Sequence, residues 1–123
     1  MGKTVLIIDD DVKLSKMLGF LFMAKRFAVE HATSGGAAFD ILNRTKPDLI
    51  ILDIMMPGMD GFEVCRKFKE KEAIKDIPVI MLSALPSPQN KEKSIELGAF
   101  SYFEKPFKSV DLIACAMEAL EST

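Results

Sequence analysis

The chain has 123 residues, 49% of them hydrophobic and 28% charged, and its net charge is −2. That length suits one domain over residues 1–123, able to bury roughly two-thirds of its unfolded surface, and the composition is that of a folded globular chain. No Lys/Arg cluster favours direct binding to nucleic-acid phosphates, no apolar run approaches a membrane span, and residues 1–10 lack the order of a signal peptide.

Thr4 to Ile8 is a buried apolar strand followed by three acids, Asp9, Asp10 and Asp11. From Val12 to Lys25 the residues Leu14, Leu18, Leu21 and Phe22 recur at helical spacing. Phe27 to Ala32 is a short strand carrying the only histidine, His31, for which an edge position and a structural role are expected. Thr33 or Ser34 caps a helix through about Asn43, which Lys46-Pro47 closes. Leu49 to Leu52 is a continuous apolar run, the pattern of a parallel strand buried on both faces, and it ends in Asp53 and a Pro57-Gly58 turn. Asp60-Gly61 opens a helix to about Lys71, with Phe62, Val64, Cys65 and Phe68 at apolar positions. Pro78 to Ser83 is the fourth strand, after which Pro86 and Pro88 delay a helix over about Gln89 to Leu97, and Gly98 suits its C-terminal cap. Phe100 to Lys105 is the last strand, broken by Pro106, and Ser109 caps a final helix with Leu112, Ile113, Ala116 and Leu120 on one face.

Five strands alternating with five helices predict an α/β fold, a parallel sheet with helices on both faces and right-handed crossovers. Cys65 and Cys115 fall inside helical patterns without C-x-x-C spacing, as expected of reduced thiols in a cytoplasmic protein.

The chemistry gathers at strand ends. Burying an unpaired charge is costly, yet the central strand runs straight into Asp53. Ligands of open α/β sheets bind just beyond the carboxyl ends of the strands. If the first and central strands are neighbours, Asp9, Asp10 and Asp53 converge on one rim. Two unit charges ~4 Å apart repel by about 4 kcal/mol at an effective dielectric of about 20. Such a cluster raises a pKa or binds a cation, and oxygen-only ligands beside an open rim suit Mg²⁺. Helix capping would need only one of the three acids. Ser83 ends the fourth strand and Lys105 the fifth, adding a hydroxyl and an ammonium able to hold an anion. A metal, a lysine and a hydroxyl around a carboxylate are what phosphorylation of that carboxylate, Asp53, requires.

Six segments together resemble the receiver domain of bacterial two-component response regulators, in particular the single-domain chemotaxis type. They are Val5 to Asp11, Pro47 to Asp53, Met56 to Gly61, Pro78 to Ala84, Gly98-Ala99 and Lys105 to Phe107. The resemblance implies a flavodoxin-like doubly wound sheet of order 2-1-3-4-5, an arrangement for which a receiver is a standard illustration. It implies that Asp53 takes a phosphoryl group from a sensor histidine kinase or phosphotransfer protein, and that Asp9, Asp10, Asp53 and the backbone carbonyl of Met55 hold Mg²⁺. Ser83 would swing toward the phosphoryl group, Lys105 would pair with it, and Tyr102 would change rotamer in concert. The surface of the fourth helix, fifth strand and fifth helix would then engage a downstream protein, a phosphorylation-dependent dimer being one form of output. Such a protein is no enzyme beyond its own phosphotransfer and slow dephosphorylation.

Several positions depart from the family pattern. Met55 and Leu85, two residues after Asp53 and Ser83, stand where relatives often carry polar side chains flanking the attacking water, so slow self-dephosphorylation is expected. Pro86 and Pro88 should restrict the loop into the fourth helix. Gly19, Phe20 and Met23 replace usually polar first-helix residues, and Phe20 and Met23 should share an outward face that suits a kinase contact. A flavodoxin-like redox protein would need a phosphate-cradling loop where this chain has acids. An aspartyl phosphatase would usually carry a second Asp at position 55, which is Met. A phosphorylation-independent pseudo-receiver and a receiver cut from a larger transcriptional regulator are the remaining alternatives.

Overall fold

The computed structural model describes residues 2–56, 58–85 and 87–121; the expectations placed on Pro57 and Pro86 lie outside these residues. The strands are β1 (Thr4–Ile8), β2 (Ala28–Ala32), β3 (Leu49–Asp53), β4 (Met55–Met56), β5 (Met59–Asp60), β6 (Val79–Ser83) and β7 (Ser101–Glu104). The helices are α1 (Val12–Ala24), α2 (Gly35–Arg44), α3 (Gly61–Glu70), α4 (Pro88–Glu96) and α5 (Ser109–Glu121). Five strands form one parallel sheet of order β2-β1-β3-β6-β7, which is 2-1-3-4-5 when only its own strands are numbered. The expected flavodoxin-like architecture is therefore the observed one.

Alternation along the strands divides the core in two. Leu6, Ile8, Ile50, Leu52, Val79 and Met81 face α2 and α3, meeting Ala38, Ile41, Val64, Cys65 and Phe68. Val5, Ile7, Leu49, Ile51, Ile80 and Leu82 face α1 and α5, meeting Leu18, Phe22, Leu112 and Ala116. This explains the continuous apolar runs: both faces of β1, β3 and β6 are covered, so neither parity of residue can be polar. It also keeps the two cysteines apart, because Cys65 packs on one face and Cys115 on the other, and both are free thiols.

Local signals act largely where the sequence places them. Ser34 caps α2 by accepting from the Ala37 N–H, and Asp60 caps α3 by accepting from the Phe62 N–H. Gly98 takes φ +94° after α4, a conformation L side chains resist. Four details differ from expectation. Ser109 does not cap α5 but is its first residue, and the Leu112 N–H donates to the carbonyl of Lys108, which takes the cap position. Met55–Met56 and Met59–Asp60 pair as a small antiparallel ribbon, β4 with β5, whose strands of two residues are too short for a periodic pattern. Pro88 does not delay α4 but begins it, since proline's fixed φ and missing N–H suit the first helical position. Gly19 turns inward beneath His31, where an added Cβ would lie 3.0 Å from the His31 ring. The ring is held by Ser15 Oγ, 2.7 Å from Nδ1, which gives His31 on edge strand β2 the structural role expected of it. Among the described residues no helix is long and apolar enough to cross a membrane.

Candidate functional site

Because β1 and β3 are adjacent and in register, Ile8 beside Leu52, the residues that follow them emerge side by side at the carboxyl rim. Asp9, Asp10 and Asp53 each bring a carboxylate oxygen within 4.8 Å of the others. The three acids are not equivalent. Asp9 is fully buried and accepts the Asp11 N–H at 2.9 Å; Asp53 is nearly so; Asp10 is exposed. Asp11 stands apart as the N-cap of α1, accepting from the Leu14 N–H at 3.1 Å. One acid of the run of three thus serves the helix, and the other two join Asp53.

Lys105 follows β7 and reaches back across the rim. Its Nζ donates to Asp9 Oδ2 at 3.0 Å and lies 3.4 Å from Asp53 Oδ1. The second distance exceeds that of a good hydrogen bond, and Asp53 Oδ1 is buried without one among the described residues. Burial, then the neighbouring Asp9 charge, pushes Asp53 up to about 6; Lys105 and the Met55 backbone pull the other way without prevailing. For Lys105, burial disfavours the ammonium, but the Asp9 hydrogen bond and the charges of Asp9 and Asp53 outweigh it and raise its pKa.

Gly61 lets α3 approach this site closely. A Cβ there would lie 2.4 Å from the Asp53 carbonyl oxygen and 2.5 Å from Ile54 Cα. The Gly61 N–H donates to the Ile54 carbonyl at 2.6 Å, locking the start of α3 to the end of β3.

Ser83 ends β6 on the same rim, and its hydroxyl bonds to the backbone of Leu85. It donates to the Leu85 carbonyl at 2.9 Å and accepts from the Leu85 N–H at 3.2 Å. Tyr102 on β7 is half-buried against the α2/α3 core, with its hydroxyl buried and no hydrogen-bond partner for it among the described residues. Beside the acids, Ile54, Met55, Met56, Met59, Phe62, Leu85 and Asn90 line a groove of about 650 Å³. Asn90, whose side chain reaches the Leu85 carbonyl, was not singled out by sequence, since an Asn in a first helical turn carries no signal of a tertiary partner.

The donor set is suited to a hard divalent cation. Its three acids offer carboxylate oxygens, one acid is solvent-facing, and a buried Asp53 oxygen has no hydrogen-bond donor among the described residues.

Comparison with known proteins agrees with this geometry. The signal receiver domain of a signal transduction histidine kinase from Syntrophus aciditrophicus is 34% identical, with a TM-score of 0.90 over 99% of this chain and 92% of that one. The receiver domain of a DNA-binding response regulator from Colwellia psychrerythraea 34H is 31% identical, with a TM-score of 0.90 over 97% of this chain and 98% of that one. The chemotaxis response regulator CheY4 of Vibrio cholerae is 28% identical, with a TM-score of 0.90 over 98% of this chain and 100% of that one. The family described as the response regulator receiver domain matches residues 5–117, and with the 2-1-3-4-5 sheet and its acidic rim this chain belongs to that family.

Proposed function

We propose that residues 1–123 form one phosphoacceptor receiver in which Asp53 is the residue phosphorylated. The convergence of Asp9, Asp10 and Asp53 with Lys105 at the carboxyl rim carries this reading. Receiver domains bind Mg²⁺ at an acidic pocket of this kind and exchange signals with histidine kinases and downstream targets. Here Asp9, Asp10, Asp53 and the Met55 backbone carbonyl would hold the ion. When bound, it neutralises charge on the phosphoryl oxygens.

An Asp53 carboxylate oxygen attacks phosphorus in line, forming a P–O bond as the P–N bond of a donor phosphohistidine breaks. The imidazole leaves with the electron pair and takes up a proton from solvent. A pKa of about 6 leaves most of Asp53 ionised at neutral pH, so the nucleophile needs no separate base. Lys105 supplies a second positive charge already anchored on Asp9. Ser83 must break its ring with Leu85 to donate to the phosphoryl group, which gives the protein two alternative arrangements. Tyr102 would follow, altering the surface of α4, β7 and α5 for a downstream partner or a second copy.

Met55 and Leu85 line the groove beside Asp53 with apolar side chains that cannot orient a water, which supports slow self-dephosphorylation. Phe20 and Met23 are 68% and 49% exposed on α1, consistent with a kinase contact on that face.

Intact-mass measurement after incubation with acetyl phosphate and Mg²⁺ tests the central point. One added phosphoryl group is expected, absent from Asp53→Asn and from metal-free protein. No adduct, together with an amide spectrum unmoved by beryllofluoride, would leave the chain a pseudo-receiver acting through protein contacts alone.

A further inference from the structure

Leu85 lies two residues beyond Ser83, is 56% exposed, and with Met55 forms part of the wall of the groove beside Asp53. Its carbonyl accepts two hydrogen bonds, from Ser83 Oγ at 2.9 Å and from Asn90 Nδ2 at 3.3 Å. A hydroxyl has one proton to donate. Once Ser83 gives that proton to a phosphoryl oxygen, the Leu85 carbonyl keeps only the bond from Asn90. Other α4 contacts leave the Leu85 carbonyl alone. The helix packs on β7, Lys93 Nζ lies 4.5 Å from the Phe62 ring centre, and Ser94 Oγ bonds within the helix to the Asn90 carbonyl. Ser87, its N-cap, makes no side-chain capping bond among the described residues.

We propose that Asn90 is a positioning residue: it retains the Leu85 carbonyl after Ser83 has turned away, keeps Leu85 over the groove, and so slows hydrolysis of a phosphoryl group on Asp53. The inference rests on Asp53 being the phosphoacceptor. In hydrolysis a water oxygen bonds to phosphorus as the bond from phosphorus to the Asp53 oxygen breaks. The carboxylate keeps the electron pair, and the water releases a proton to solvent. With Leu85 held, that water passes two apolar side chains, Leu85 and Met55, neither able to take its proton. The α4 helix is thereby tied to the lifetime of the site and not only to the output surface.

Asn90→Ala and Asn90→Asp, compared with the wild type, test this. Asp is nearly isosteric with Asn but has no N–H to donate, and its charge suits the first turn of a helix. It therefore removes the bond to Leu85 while favouring α4. Each protein is loaded with acetyl phosphate and Mg²⁺, freed of donor, and followed by intact mass. Both variants should load within twofold of the wild-type rate and lose the phosphoryl group about fivefold faster, the factor expected from one hydrogen bond. Unchanged lifetimes overturn the proposal. So does faster loss in Asn90→Ala alone, which would trace the effect to helix stability.

Amide exchange at Leu85 in untreated protein supplies an independent readout, with at least about twofold acceleration expected in both variants. If wild-type protein takes no phosphoryl group but the exchange difference is present, the Asp53 reading falls and Asn90 still holds Leu85. Unchanged exchange overturns the tie itself.

Discussion

Along β1 and β3 every residue from Val5 to Ile8 and from Leu49 to Leu52 is inaccessible to solvent, whereas β7 is half-buried and α4 buries only Ser94. The acids belong to the first region. Asp9 and Asp53 extend from strands gripped on both faces, and Gly61 clamps α3 against the Asp53 backbone. Tyr102 and Asn90 belong to the second, and Ser83 stands between them at the end of β6. Elements with few buried apolar contacts open at low free-energy cost, so motion is drawn from them first. On the function proposed above, this difference lets one small sheet hold the acids fixed while the α4 and β7 side is free to change.

The comparison is broken most strongly by removing its rigid member. Ile51→Ala empties a fully buried position on β3 and should cost about 3–4 kcal/mol in urea unfolding, whereas Ile95→Ala on α4, half-exposed, should stay within about 0.5 kcal/mol. Equal losses at the two sites would show that α4 is as firmly packed as β3. Gly61→Ala comes next, because its Cβ would meet backbone that cannot swing aside. A loss of about 2–3 kcal/mol is expected, with an altered amide signal at Ile54.

Asp53→Asn sharpens the comparison through pH. Asp53's folded pKa lies above its ordinary value, so the metal-free native state binds the proton more tightly than the unfolded chain does. The contribution of Asp53 to wild-type stability is then fully present below pH ~4, the unfolded value, and is lost as pH rises through about 6. Asn escapes that loss. It should stabilise metal-free protein by about 2 kcal/mol at pH 7.5, with the advantage gone by pH ~4, as read from thermal melts. Added Mg²⁺ should narrow the gap by stabilising the wild type more than the variant.

The smallest effect is expected on the loose side. Tyr102→Phe removes a buried hydroxyl that has no hydrogen-bond partner among the described residues, and should raise stability by up to about 1 kcal/mol. A loss of similar size would mean that the hydroxyl is satisfied in solution.

The parallel sheet and the polar groups at its strand ends were legible in the sequence from burial and alternation, whereas the strand order, which brings Asp9, Asp10 and Asp53 together, followed only from the family resemblance. A strand covered on both faces must be apolar throughout, so β1, β3 and β6 announce themselves, and their carboxyl ends are marked by the polar residues that follow. Right-handed crossovers and short connections then leave few ways to order them. The β4–β5 ribbon escaped because two-residue strands have no period, and the role of Pro88 because proline both interrupts a helix and begins one.

What the sequence by itself determined, then, is which chemical groups stand at the sheet's carboxyl rim. Only the tertiary structure decided how they divide the work at rest: Asp11 caps α1 while Asp9 takes Lys105, Gly19 makes room for His31, and Asn90 shares the Leu85 carbonyl with Ser83. The physical reason is one of scale. Strand burial sums many apolar contacts and leaves a pattern along the chain. The direction of one hydroxyl or amide turns on about 1 kcal/mol among partners that only the folded chain brings together.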